Sequence, residues 1–261
     1  MNQLPDLEHE VLGARARPAS LPDERSGPLS LQILRALYEL QEAGPVGLRE
    51  RAMALQTLAG WICQLHGIKV EMQGRFPDGP AIIVANHLGY VDPLVLCSLL
   101  ACSPIAKHEI EAWVLIGVPL ARLNVNFVRR SDAHSGATVL RRCLRTLRAG
   151  VSVLNFPEGT TSRGELGPFH WGAFWLARRS GVPVVPVGID FDDLSLCWVD
   201  DEAFLPHYAK LWWKRRRTVR VCVGEPLDPG RYKSELDLGF AARRDISALR
   251  RPFAEPTRPW E

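Results

Sequence analysis

Organised metal or disulfide chemistry, long apolar runs and strong net charge are all missing from this 261-residue sequence. Its six cysteines (Cys63, Cys97, Cys102, Cys143, Cys197 and Cys222) are scattered, with no C-x-x-C pair. That excludes a zinc ribbon, argues against a disulfide framework and fits a reducing, cytosolic setting. No H-x-H, H-x-x-x-H or carboxylate cluster has ligand spacing, so no metal is expected. The longest charge-free stretches, residues 52–68 and 93–106, fall short of the roughly 20 mainly apolar residues that cross a bilayer. The first also holds Gln56, Gln64 and His66, so no spanning helix is expected. Lysine and arginine number 32 against 29 acids, and the formal charge of +3 is too weak to indicate a nucleic-acid partner. The opening residues, MNQLPDLEHEVLG, carry acids and lack an apolar centre, so they do not read as a secretory signal.

What is present is an ordinary globular composition, 46% hydrophobic and 23% charged. It excludes a disordered chain, a collagen-like repeat and a polytopic membrane protein. Residues 1–27 mix acids, arginines and three prolines and read as a mobile tail. Residues 28–66 read as an N-terminal helical pair. Leu31, Leu34 and Tyr38 mark the first helix, which Gly44-Pro45 ends. Met53, Leu55, Leu58, Ile62 and Leu65 form an apolar stripe on the second, residues 48–66. From Ile68 onward, an alternating run at 68–72 and a short apolar run at 81–85 read as strands, as do 105–107, 125–128, 151–156, 184–189 and 218–223. Between them, 94–101, 112–123, 135–149 and 169–179 read as helices. This alternation predicts an α/β domain over residues 67–228, with a central mostly parallel or mixed sheet flanked by helices. Residues 229–261 are left as a C-terminal extension.

Three segments can carry chemistry. In Asn86-His87-Leu88-Gly89-Tyr90-Val91-Asp92-Pro93, a buried strand gives way to a helix, the place where α/β folds put ligands. A turn at Gly89 brings Asp92 back to His87, and a carboxylate that fixes an imidazole tautomer makes a base. The same residues also suit a local role, with Asp92 as N-cap before Pro93. Asn155-Phe156-Pro157-Glu158-Gly159-Thr160-Thr161-Ser162-Arg163-Gly164 follows a second buried strand. It offers hydroxyls, a close backbone approach at Gly159 and an anion partner in Arg163, or it is simply a polar turn. It lacks the GK[ST] ending of a Walker loop. Asn126-Phe127-Val128-Arg129-Arg130-Ser131-Asp132 places arginines at a strand end, suited to phosphate or to solvent.

In this order the segments resemble the glycerolphosphate and lysophospholipid acyltransferase family, in particular its 1-acylglycerol-3-phosphate acyltransferases. That family is marked by H-x4-D, then G-x-x-F-[IV]-x-R, then F-P-E-G-[TS], then an apolar strand with V-P-[VI]. The matching residues are His87 and Asp92, then Phe127 and Arg130, then Phe156 to Thr160, then Val185-Pro186-Val187. The resemblance runs from about Gly67 to Pro226. It implies a base at His87, oriented by Asp92, that activates a lysolipid hydroxyl to attack an acyl-CoA or acyl carrier protein thioester. It further implies an acceptor site built from Phe127, Arg130, Glu158, Gly159, Thr160 and Arg163. No cofactor beyond the thioester co-substrate is implied.

The sequence departs from the pattern at Asn124, where glycine is usual, at Thr161, where arginine is frequent, and at Phe169-His170-Trp171-Gly172, where F-K-x-G is frequent. Two cations are thereby missing. This admits a lyso-ornithine lipid or another lysolipid as acceptor beside 1-acylglycerol-3-phosphate, with a thioesterase using the same pair as a further alternative. Such substrates imply a peripheral or monotopic protein at the cytoplasmic face of a membrane. Between Lys210 and Arg217 five basic residues and no acid stand beside Trp212 and Trp213, a pattern suited to an anionic interface. Trp113, Leu115 and Ile116 suit an acyl groove or the core.

Overall fold

A computed structural model describes residues 47–111, 117–129, 132–199, 203–204, 206–208 and 217–250. The first expected helix, the Trp113–Ile116 stretch, Arg130 and residues 209–216 lie outside them. The described elements are α1 (Leu48–Leu65), β1 (Ile68–Gln73), β2 (Ile82–Ala85), α2 (Val91–Leu99), β3 (Cys102–Lys107), α3 (His108–Glu111) and α4 (Gly117–Arg122). They continue as β4 (Asn126–Val128), α5 (Ala133–Arg148), β5 (Ser152–Asn155), α6 (Gly172–Ser180), β6 (Val184–Phe191), β7 (Arg217–Val223) and α7 (Glu235–Leu249).

The seven strands form one sheet in the order β1-β7-β6-β2-β5-β3-β4. Five neighbouring pairs are parallel, and only β6 and β7 run antiparallel. The sheet is therefore the mixed, mostly parallel one expected. Its two faces bury separate clusters. Ile83, Leu154 and Val185 face a layer with Leu58 of α1 and Val95 and Leu96 of α2. Ile82, Val153 and Val184 face a layer with Val139 of α5, Phe174 of α6 and Leu238 of α7. The helix after β2 thus covers one face and the helix after β5 the other, although β2 and β5 are neighbours. Open α/β sheets have their ligand crevice where the connections part in this way, outside the carboxyl ends of the strands.

Local sequence explains most element ends. Asp132 caps α5 by accepting from the His134 N–H at 2.8 Å, which moves the start ahead of the expected Ser135. The expected stripe on α5 is buried at Val139, Cys143 and Leu147, and Leu140 and Leu144 pack at its margin. On α1, Leu55 and Leu58 of the expected stripe are buried and Ile62 and Leu65 pack against the core, but Met53 is half exposed, and Ala52, Ala59, Trp61 and Cys63 are buried as well. Strand β3 begins three residues before its expected start, because Pro104 argues against a strand although it pairs with Leu154. Residues 235–249, left within an extension, form a helix on β6 and α6. Its start is a Ser234-x-x-Asp237 cap, with the Asp237 N–H donating to Ser234 Oγ at 3.1 Å.

His66 closes α1 in a buried position, 3.1 Å from the Tyr208 hydroxyl. Burial, aided by the Arg217 charge, pushes its pKa down to about 4. An unfolded histidine titrates near 6.5, so between these values the unfolded chain binds more protons. Stability present above pH 6.5 is expected to fall by up to ~3 kcal/mol as the pH drops towards 4. Urea unfolding at pH 7.5 and 4.5 checks this: His66→Gln should lose less stability on acidification than wild type, and equal losses would exclude His66 as the cause.

Candidate active site

Residue His87 lies two positions beyond the end of β2, and Glu158 three beyond the end of the neighbouring β5. The link to β2 is anchored by Asn86, whose buried amide replaces a strand pairing. Its Nδ2 donates to the Ile189 carbonyl at 2.9 Å, and its Oδ1 accepts from the Ile189 N–H at 2.8 Å. The chain then turns tightly through Gly89. A Cβ there would lie 3.0 Å from the Trp198 nitrogen and 3.2 Å from the Leu196 carbonyl oxygen, so no side chain fits without displacing that backbone.

Asp92 is fully buried at the start of α2. It does not cap that helix, as the sequence suggested. Tyr90 occupies the cap position, and the Asp92 carboxylate reaches back into the turn instead. Its Oδ2 accepts from the N–H groups of Leu88 (2.6 Å) and Gly89 (2.8 Å) and lies 2.8 Å from His87 Nδ1. The helix N-terminus adds to the stabilisation of its charge. Because a carboxylate only accepts, it fixes the proton on Nδ1, and Nε2 presents a lone pair. The imidazole stacks on Phe156, with ring centroids 4.2 Å apart and planes 19° apart, and remains 16% exposed. No hydrogen bond to Nε2 is made by the described residues. A buried carboxylate and an aromatic face therefore hold one nitrogen open at the strand ends.

The second loop holds the backbone of the histidine. Glu158 Oε1 accepts from the His87 N–H at 2.9 Å, and the Ser162 N–H donates to the His87 carbonyl at 2.8 Å. Glu158 Oε2 accepts from the Gly167 N–H at 3.0 Å. Burial pushes the Glu158 carboxyl above the ordinary range, although these two N–H donors oppose it. Both of its oxygens are thus turned to the protein. Gly159 follows with φ 71°, a left-handed conformation that glycine adopts without strain. Thr160 and Arg163 are on the exposed rim of this loop.

Phe127, on the edge strand β4, is buried in the large hydrophobic cluster that also holds Phe156 and Leu88. The expected sites His87, Asp92, Glu158, Gly159, Thr160 and Arg163 share two adjoining loops, Phe127 is part of the core, and Arg130 lies outside the described residues. Asn124 has φ 68°. Asparagine is one of the few residues that tolerate this region, which explains how it stands where the family pattern has glycine.

The six cysteines are all buried. Burial pushes Cys63 and Cys197 up to about 11 and Cys143 up to about 12, away from thiolate chemistry. No group of three or more potential metal ligands occurs among the described residues.

Sheet and site together define an α/β protein with a buried carboxylate–imidazole pair at a switch point between strands. Its relatives agree with that class. The profile of the Acyltransferase family matches residues 67–190. A lyso-ornithine lipid O-acyltransferase of Pseudomonas aeruginosa is 29% identical over 228 residues, covering 81% of this chain and 88% of that protein. A chloroplastic 1-acyl-sn-glycerol-3-phosphate acyltransferase of Brassica napus is 40% identical over 176 residues, covering 65% of this chain and 47% of that protein. The chain thus spans most of the first relative and about half of the second. The crystal structure of the 1-acyl-sn-glycerophosphate (LPA) acyltransferase PlsC from Thermotoga maritima shares the fold, with TM-score 0.60, 22% identity and coverage of 84% of this chain and 93% of that one. Residues 67–190 thus match the Acyltransferase family model, and the relatives similar to this chain are lysolipid acyltransferases. No helix among the described residues is long and apolar enough to cross a membrane.

Proposed function

We propose that the protein transfers a fatty acyl group from the thioester of acyl-CoA or acyl carrier protein to the hydroxyl of a lysolipid, in phospholipid or related lipid biosynthesis. The observation that carries this is the oriented His87 imidazole, held by Asp92 with Nε2 open beside the Glu158 loop. Nε2 removes the proton of the acceptor hydroxyl as its oxygen attacks the thioester carbonyl. The tetrahedral intermediate collapses, the C–S bond breaks, and the thiolate takes the proton back from Nε2. A thioester is already activated, so no acyl-enzyme is required. Asp92 stabilises the imidazolium that forms on the way.

Both acceptor classes named by the relatives fit. A 1-acylglycerol-3-phosphate suits Arg130 and Arg163. A lyso-ornithine lipid suits the loss of the two cations at Thr161 and His170, and the relative of that name aligns over most of its length. Work at a membrane surface, on the cytoplasmic face, follows from substrates of this kind. It is supported by Trp171 and Trp175 of the α6 region, each 40% exposed, and by Phe240 of α7, 63% exposed and in edge contact with Trp171. The basic-aromatic run adds Lys210, Lys214, Arg215 and Arg216. Arg217 does not belong with them, since it is buried at the start of β7.

The test is thioester consumption by purified protein with acyl-CoA or acyl carrier protein thioester, and with 1-acylglycerol-3-phosphate or lyso-ornithine lipid in neutral or anionic vesicles. Acceptor-dependent consumption, faster in anionic vesicles, is expected. Thioester cleavage that ignores the acceptor would identify a thioesterase instead.

A further inference from the structure

The Glu158–Gly167 loop is gripped on two sides. One side is the peptide of His87, bonded to Glu158 and Ser162 as described. The other is helix α7 and the residue after it. Arg243 of α7 donates from Nη2 to the Leu166 carbonyl at 2.6 Å and from Nε to the Gly167 carbonyl at 3.2 Å. Arg250 donates from Nη1 to the Gly164 carbonyl. It also donates from Nε (3.1 Å) and Nη2 (2.8 Å) to Oδ1 of Asp190, a nearly buried carboxylate on β6.

The Leu166 carbonyl and the Gly167 N–H belong to one peptide unit. The guanidinium of Arg243 pulls on its oxygen, and its N–H donates to Glu158 Oε2 at 3.0 Å. Glu158 Oε1 then accepts from the His87 N–H at 2.9 Å. A continuous chain thus runs from guanidinium through peptide and carboxylate to the backbone of the histidine. Hydrogen bonds in such a chain polarise one another, and both of its ends are charge-assisted. Arg250 fixes the outer bend of the same loop to the sheet, because its partner Asp190 is part of β6.

We propose that Arg243 and Arg250 are positioning residues for His87. They touch neither substrate nor imidazole and act through the Glu158 loop. The C-terminal helix is by this inference a working part of the catalytic unit. The proposal rests on the acyl-transfer reading above.

A small displacement of a catalytic group costs up to about 100-fold in rate. Arg243→Ala leaves Arg250 in place, so a loss of roughly 10-fold in kcat is expected, with KM for donor and acceptor within twofold. Arg243→Lys, which keeps one charged donor, should recover part of that loss. In a Glu158→Gln background, one link of the chain is already cut, and Arg243→Ala should then cost less than threefold further. Full additivity of the two substitutions, or a loss carried by KM alone, overturns the proposal. If Glu158→Gln fails to fold, ¹⁵N-histidine spectra of Arg243→Ala replace the cycle. A changed His87 imidazole titration is expected, and an unchanged one overturns the proposal. A wild type inert on every thioester and acceptor would overturn the acyl-transfer reading. An active, His87-dependent wild type whose Arg243→Ala variant keeps its kcat would overturn only the positioning role.

Discussion

Replacing His87 by alanine is expected to lower kcat/KM for acceptor-dependent thioester consumption by roughly 100- to 10,000-fold, the usual worth of a positioned general base. The geometry gives the reason. Nε2 is the atom left without a partner among the described residues, while Nδ1, the ring face and both backbone groups are all engaged. Truncation removes that atom and leaves the rest of the network in place. Asp92 keeps its bonds from the Leu88 and Gly89 N–H groups, and the Glu158 loop bonds only to the backbone of residue 87. Thermal unfolding should therefore shift by no more than a few degrees. Residual activity within threefold of wild type would remove His87 from the reaction.

Asp92→Asn should produce a comparable loss of turnover, ~100- to 10,000-fold, by a different route. One oxygen, Oδ2, meets the Leu88 N–H, the Gly89 N–H and His87 Nδ1, and the buried Oδ1 has no partner among the described residues. An asparagine carbonyl oxygen in the Oδ2 place keeps all three contacts and with them the tautomer, and its amide nitrogen is left buried without an acceptor. What is lost is the charge that would stabilise the imidazolium. Because the site is fully buried, a stability cost of about 1–3 kcal/mol accompanies it. The informative measurement is turnover at a temperature where circular dichroism shows both proteins folded. Near-normal turnover there would show that the Asp92 charge is not part of the mechanism.

The sequence made the chemistry at His87 legible because both partners are side chains five residues apart across a turn. It could not show which local role Asp92 plays. A helix cap and a carboxylate reaching back to the preceding turn have the same residue type at the same place. Glu158 was legible as a site residue but not as a clamp. Its partners are the amides of His87 and Gly167, and backbone amides leave no mark on the composition of a sequence. The central strands announced themselves as apolar runs, since β2, β5 and β6 are almost wholly buried, whereas half-exposed β1 showed only alternation. Their order did not, because the pairing of β2 with β5 and β6 joins segments far apart in the chain.

Helix α7 is the instructive omission. Its signals were present: a Ser234-x-x-Asp237 start and Leu238, Ala241, Ala242 and Ile246 at helical spacing, all buried. What no pattern revealed is that Arg243 and Arg250 reach a loop about 80 residues earlier. The cations lost from the family pattern at Thr161 and His170 and these two arginines concern the same stretch of chain. The arginines meet it through its carbonyls rather than through open charge.

The placement of β1 has a consequence for how the molecule is made. Residues 68–73 are among the first of the sheet to be synthesised, yet among the described residues their only strand partner is β7, residues 217–223. At about 5–20 residues per second, roughly 10–30 s of translation separates the two. During that interval β2, β3, β4, β5 and β6 can all find neighbours, and the oldest strand waits for the youngest. Helix α1 is joined to β1 by two residues and so waits tethered to an unpaired edge. The loops that follow β2 and β5 can thus meet on the growing chain before β7 arrives to close the sheet, and α7, made later still, then locks the second of them.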